Sequence, residues 1–326
     1  MKAWVVHELG DPQQALQLDE VETPTPGPGE VLVQVEAAAA NFFDILLCQG
    51  KYQERPPLPF TPGAEVAGAV IAVGEGAACS VGQRVMAMPK LPRGGFCEVV
   101  SVPASAVYPI PDELPWTQAA GMYITYQTAY YALHHCAKLQ PGEVLLVHAG
   151  AGGVGSAAIQ LGKAAGARVI ATAGGPEKLQ VCRDVGADVT IDYRTENFAD
   201  IVKEETRGRG ADVIFDPVGG DVFDRSRKCI AFGGRLLVIG FAGGRIADAP
   251  TNHILLKNYA VVGVHWGLYN KLMPQGVHEI HQQLMQLYLD GKVKPLIYQE
   301  FPLVDLPQAL ELLGTRKTWG KVILRP

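Results

Sequence analysis

The sequence predicts an α/β protein in which a small β domain precedes a doubly wound parallel sheet. Three observations carry that prediction. Up to about residue 115, short runs of alternating polarity sit between Pro/Gly turns. From about residue 116, apolar strand-like runs alternate with helical patterns. At the first strand-to-helix junction of that second region stands Ala149-Gly150-Ala151-Gly152-Gly153-Val154-Gly155, whose glycines 150, 152 and 155 fit G-x-G-x-x-G.

In the first region, Glu30 to Glu36 alternates cleanly, as a half-buried strand does. Further strands are read over 65–74, 83–87 and 95–100, with turns supplied by 24–29 and 55–59. Short strands with such connections make a small β-barrel or a sandwich. The second region offers strands at 144–148, 168–172, 189–192, 212–216, 235–239 and 260–264, with helical patterns between the first five. Right-handed crossovers then give a parallel sheet. The last sixty residues read as a helix over 277–289, a strand over 295–301, a helix over 306–313 and a strand over 321–324. They are too few for a third core, so the tail is expected to return to the first domain. The expected domains are 1–118, completed by 270–326, and 119–269.

Hydrophobic residues make up 48% of the 326 and charged residues 19%, an ordinary globular balance. The formal charge of -5, with no basic run, argues against nucleic acid as the main partner. No apolar stretch is long enough to span a bilayer and the first residues lack a signal-peptide core, so a cytoplasmic protein without a membrane partner is expected. The six cysteines are scattered with no C-x-x-C, which speaks against a structural metal and for reduced thiols.

The glycine loop reads as a phosphate cradle. Gly150 is expected to make the turn, Gly152 to let backbone approach a pyrophosphate, and Gly155 to let helix pack on strand. The helix N-terminus then faces the phosphates with free N–H groups. An acid at the end of the second strand would hold the ribose 2′-OH of NAD. Here that strand ends in Thr172-Ala173-Gly174-Gly175, small and neutral, with Lys178 beyond it. Room for a 2′-phosphate beside a lysine predicts NADPH, and Tyr193, after the third strand, adds a hydroxyl. The loops after strands four and five, Asp216 to Gly220 and Gly240 to Gly244, lie where such sheets bind ligands. His148 is read as a strand-end residue that packs or hydrogen-bonds locally. His134, His135, His278 and His281 have no matching metal partners.

Several motifs together resemble one family over essentially the whole chain. They are Asn41-Phe42-Phe43-Asp44 followed by Gly50-Lys51-Tyr52, then Pro62-Gly63-Ala64-Glu65-Val66-Ala67-Gly68 and Gly82-Gln83-Arg84-Val85. The glycine loop, Asp192-Tyr193-Arg194, Asp216 to Gly220 and Gly320-Lys321-Val322-Ile323-Leu324 complete the set. The chain resembles the zinc-independent NADPH:quinone oxidoreductases of the medium-chain dehydrogenase/reductase superfamily. That resemblance implies a GroES-like β-barrel catalytic domain plus a Rossmann nucleotide-binding domain. Zinc alcohol dehydrogenases carry G-H-E where this chain has Gly63-Ala64-Glu65, and a metal cysteine where it has Asn41; their cysteine-rich zinc lobe is also missing. The resemblance therefore implies hydride transfer from NADPH to an acceptor that is already electrophilic, without a Lewis acid.

The resemblance further implies that Asn41 and Tyr52 face the nicotinamide, Asn41 hydrogen-bonding the acceptor carbonyl and Tyr52 donating a hydrogen bond or walling the pocket. It implies cofactor contacts from Phe42, Asp44, Thr128, Gly153, Val154, Val218, Gly240, Phe241, Ala242 and Lys321, beside the residues read above; Tyr131 is a weaker candidate. A quinone is the expected acceptor. Reduction of an activated C=C bond in an enal, enone or enoyl-CoA stays open, with Lys51, Arg55 and 90–93 as candidates for CoA phosphates, as does a non-enzymatic, crystallin-like NADPH-binding protein. Homodimerisation is implied through the edge strand near 260–264.

Overall fold

The computed structural model describes residues 1–326 and divides them into two compact units, Met1–Ile124 with Pro295–Pro326, and Thr125–Lys294. The expected boundaries at 118 and 269 therefore shift. The first falls inside a continuous helix, Trp116–Tyr130. The second misplaced a helix: Pro274–Leu289 belongs to the parallel-sheet unit, where Val277, Ile280 and Leu284 give it a buried face. Only the tail from Pro295 returns to the first unit.

The first unit holds β1 (Lys2–Val6), α1 (Pro12–Ala15), β2 (Leu16–Glu20), β3 (Glu30–Ala40), α2 (Phe42–Cys48), β4 (Val66–Val73), β5 (Arg84–Ala87), β6 (Val99–Pro103), β7 (Val107–Pro109) and the start of α3 (Trp116–Tyr130). β1 and β2 pair with each other. The chain from Gly95 to Glu98 is not part of β6: Phe96 and Cys97 serve β1 instead, where Trp4 N–H donates to the Phe96 carbonyl.

The second unit holds β8 (Val144–Val147), α4 (Gly153–Ala164), β9 (Arg168–Ala173), α5 (Pro176–Asp184), β10 (Val189–Asp192), α6 (Phe198–Glu205), β11 (Ala211–Asp216), α7 (Gly220–Cys229), β12 (Ile230–Val238), α8 (Thr251–Lys257), β13 (Ala260–Gly263), α9 (Trp266–Leu272) and α10 (Pro274–Leu289). Its six strands run in the order β10-β9-β8-β11-β12-β13 and every pairing is parallel. Strand order reverses at β8, so the ends of β8, β9 and β11 open the crevice where such sheets bind ligands. β8 reads Val-Leu-Leu-Val and is buried on both faces, as a central parallel strand must be.

The tail returns to the first unit as β14 (Ile297–Pro302), α11 (Leu306–Gly314) and β15 (Lys321–Arg325). β15 lies antiparallel to β3, with Val322 opposite Ala40, in a sheet ordered β14-β15-β3-β4-β5-β7, with β6 also paired to β3. The run Ala37 to Ala40 is buried and methyl-sided, which lets strands and helices close in on the end of β3. That register sets Lys321 beside the start of α2.

Candidate active site

The glycine loop leaves β8 and enters α4 as the spacing predicts, but the glycines work differently from the expectation. The left-handed residue of the turn is Ala149, with φ 51°, and not Gly150. Gly150 is required by packing: a Cβ there would lie 2.9 Å from Cys182 Sγ and 3.0 Å from Ala171 Cβ. At Gly155 a Cβ would lie 2.2 Å from the Ala149 carbonyl oxygen. Gly152 is the open position, where a Cβ meets only Ala149 O at 3.3 Å. No side chain caps α4 at Gly152, so its first N–H groups are left for a ligand.

β9 delivers Gly174 and Gly175, and Pro176 opens α5 with Lys178 in its first turn. Asp192, at the end of β10, does not sit as a ribose acid. Its Oδ2 accepts from Gly175 N at 3.1 Å and its Oδ1 from Arg194 N at 3.0 Å, which turns the chain back over the glycines. Tyr193 and Arg194 then lie on Gly174: a methyl there would come 2.8 Å from the Tyr193 hydroxyl and 2.7 Å from Arg194 Nε. Arg194 is a basic residue that sequence reading left out. It follows β10, and the pairing of β10 with β9 is what brings it to these glycines.

The loops after β11 and β12 bind each other. Asp216 Oδ1 accepts from Val218 N and Gly219 N at 2.8 and 2.9 Å, forming a tight turn. Ala242 N and Gly243 N donate to Pro217 O and Val218 O. Val218, Gly240, Phe241 and Ala242 are thereby brought together, and Arg245 fixes the second loop by ion pairs to Asp221 and Asp224. Burial raises the Asp216 carboxyl, with the two N–H groups opposing. Thr128, buried on α3, is not among the residues that these bonds tie together. Tyr131 stacks on Tyr269 at 4.1 Å. His148 is a core residue as expected, bonded to Thr172 and Ser226 hydroxyls; burial holds its imidazole down to about 3.

In the first unit, Asn41 caps α2, and its backbone N–H donates to Asp44 Oδ2 at 2.8 Å. Its side chain is committed. Oδ1 accepts from Lys321 Nζ at 2.7 Å, while Nδ2 donates to Glu65 Oε1 at 2.9 Å and to Ala39 O at 3.3 Å. Both amide hydrogens are used within the protein, where the expectation had one of them on an acceptor carbonyl. Lys321 and Asp44, expected as cofactor contacts, are likewise engaged inside the protein. Lys321 is buried and its ammonium donates to Glu65 Oε1 at 2.6 Å and to Ala40 O at 3.1 Å besides Asn41. Asp44 is sealed from solvent. Phe42 is exposed at the start of α2, and the neighbouring Phe43 ring stacks on Tyr52 at 5.3 Å. The Tyr52 hydroxyl has no partner in the protein; burial raises its pKa, and Glu54 and Asp44 add to that. No cluster of three or more His, Cys, Asp or Glu side chains is assembled to hold a metal ion.

The Asp44 carboxyl is pushed up to about 7, chiefly by burial, with Asn41 N–H and Lys321 pulling the other way. An unfolded chain ionises this group near pH 4. The folded state keeps the proton, so it loses stability relative to the unfolded chain as pH rises from about 4 to about 7. Asp44→Asn removes that titration. The variant is expected to gain on the natural chain across this window in urea unfolding, and a difference independent of pH contradicts the assignment.

A parallel sheet ordered in this way, with a glycine turn and an uncapped helix at its switch point, defines a dinucleotide-binding unit. The other unit, built on β strands, carries Asn41, Tyr52 and Glu65. Comparison with known proteins agrees. Residues 27–112 match the alcohol dehydrogenase GroES-like domain and residues 153–283 the family described as zinc-binding dehydrogenase. The quinone oxidoreductase-like protein 2 homolog of Nematostella vectensis is 42% identical, covering 99% of this chain and 88% of that protein. Rat quinone oxidoreductase is 32% identical over 99% and 97%. The Escherichia coli quinone oxidoreductase solved with NADPH superposes with a TM-score of 0.93 at 31% identity, covering both chains fully. The chain belongs to the quinone oxidoreductase family of the medium-chain dehydrogenases/reductases.

Proposed function

We propose that this chain is an NADPH-dependent oxidoreductase that reduces a quinone without a metal. The observation that carries the cofactor choice is the turn at Gly174 and Gly175, which holds no acid and is overlain by Tyr193 and Arg194, with Lys178 in the following turn of helix. These groups suit a ribose 2′-phosphate. The open face of Gly152 and the uncapped start of α4 suit a pyrophosphate. When bound, NADPH supplies the hydride. The loops of Val218 and of Gly240 to Ala242 line the other half of the cofactor, Phe241 giving an apolar surface. Tyr52 is the group we assign to the acceptor oxygen, because its hydroxyl is free while the amide of Asn41 is occupied. Ala64 offers no ligand and Asn41 is held by Lys321, which supports chemistry on an acceptor that needs no Lewis acid. The names of the relatives support a quinone.

Consumption of NADPH with 1,4-benzoquinone, crotonyl-CoA and an enal in parallel tests this reading. Turnover with the quinone is expected. Turnover with an enal or a thioester alone reassigns the substrate, and none at all leaves a binding protein. Lys178→Ala and Arg194→Ala are each expected to weaken NADPH binding about tenfold, the loss of one charge-assisted contact, and to leave NADH binding unchanged. Equal losses for both cofactors would place these side chains elsewhere.

A homodimer is part of this reading. β13 ends the parallel sheet with an open edge, and Leu255 and Leu256 just before it are exposed, as is Phe232. Sedimentation is expected to give the mass of two chains at micromolar concentration, and a monomer there contradicts it. No helix is long and apolar enough to cross a membrane. All six cysteines are unpaired, which supports placing the chain in the cytoplasm.

A further inference from the structure

The ammonium of Lys321 has three hydrogens and three buried acceptors: Glu65 Oε1 at 2.6 Å, Asn41 Oδ1 at 2.7 Å and Ala40 O at 3.1 Å. A carboxylate, an amide oxygen and a backbone carbonyl around one positive charge form a small cation site, here filled from within by a tethered ammonium. The stem of the lysine passes over Gly121 of α3, where a Cβ would come 3.2 Å from Lys321 Cγ. Glu65 is fully buried and its second oxygen takes the Ile124 N–H at 2.8 Å. Nothing of the charge is left over for a ligand.

We propose that Lys321 is a positioning residue for the reduction: its tethered cation sets the start of α2 and, through it, the ring of Tyr52. This rests on the reading of Tyr52 given above. The steps are short. Lys321 on Oδ1 and Glu65 on Nδ2 dictate which way the Asn41 amide faces, since a flipped amide would turn NH2 toward an ammonium and oxygen toward a carboxylate. Asn41 is the N-cap of α2, a helix of seven residues with little cooperativity of its own. Its next residues are Phe42, which is exposed, and Phe43, on which Tyr52 stacks at 5.3 Å. A charge on β15 thus acts on the tyrosine without touching it.

Lys321→Ala empties the cation site. The variant is expected to lose about a hundredfold in kcat with 1,4-benzoquinone, the size of one displaced positioning group. Its dissociation constant for NADPH, read by fluorescence titration, is expected to stay within about twofold of the natural chain because the Lys321 ammonium is committed to three internal acceptors. Ethylammonium at millimolar concentration is expected to restore kcat and raise the unfolding temperature, while tetramethylammonium at equal ionic strength does neither. Lys321→Arg is expected not to restore kcat, because a planar fork does not fit three acceptors arranged for a point charge. If Lys321→Ala does not fold, Glu65→Gln with Lys321→Met removes both charges and is expected to show the same loss of kcat with no response to ethylammonium. An unchanged kcat in these variants, a parallel loss of NADPH affinity, or equal rescue by both amines overturns the proposal. Failure of the natural chain to reduce benzoquinone instead overturns the reading of the activity, and the effect of ethylammonium on unfolding then tests the cation site by itself.

Discussion

Gly155→Val is expected to abolish saturable NADPH binding and to lower stability by about 2–3 kcal/mol, the size of an overpacking that rigid surroundings cannot relieve. The added Cβ would lie 2.2 Å from Ala149 O and 2.9 Å from both Ala149 C and Gly150 Cα. These are backbone atoms, so no rotamer change makes room. The turn has no slack, because Ala149 already sits at φ 51°. Separating α4 from the loop moves the N–H groups that would meet the phosphates. Gly152→Ala is the control. Its methyl meets one atom at 3.3 Å, so the fold is expected to be kept while the open face of the cradle is covered. Circular dichroism with NADPH titration separates the two. Binding by Gly155→Val at the natural affinity would show that α4 does not hold the cofactor.

Glu65→Gln is expected to cost about 3–5 kcal/mol in urea unfolding, since it leaves a buried ammonium without its counter-charge. The double variant Glu65→Gln with Lys321→Met is expected to recover most of that. It leaves two neutral amides, Gln at 65 and Asn41, that can bond each other, and a methionine whose stem follows the path of the lysine over Gly121. The pair then contributes mainly to placement and not to net stability, the usual balance for charges taken out of water. A single variant within about 1 kcal/mol of the natural chain, the range of a surface ion pair, would mean that water reaches the site.

The alternation of strands and helices along the second unit, the glycine loop and the neutral end of β9 were all legible in the sequence, because each depends on residues close together in the chain. What failed was long-range. Asn41 looks like a free amide until Lys321, 280 residues away, is placed on its oxygen. Glu65 was read only as the remnant of a metal motif, and its role as a counter-ion became visible once β15 paired with β3. Arg194 was missed for a different reason. Its neighbour Tyr193 was read for its hydroxyl, but the hydrogen bonds that the Asp192 carboxylate accepts from Gly175 and Arg194 N–H, beside which both side chains lie over Gly174, are not encoded in periodicity. The helix read over 277–289 falls in the other unit, because its amphipathic pattern says that one face is buried and not against what.

The pairing of Glu65 with Lys321 also bears on how the protein is made. The two residues are 256 positions apart, and the acid is translated first. Everything that forms the parallel-sheet unit is synthesised in between. That unit can therefore be complete while the β unit still holds a buried carboxylate without its partner. The pairing of β15 with β3 is what brings the ammonium to that carboxylate.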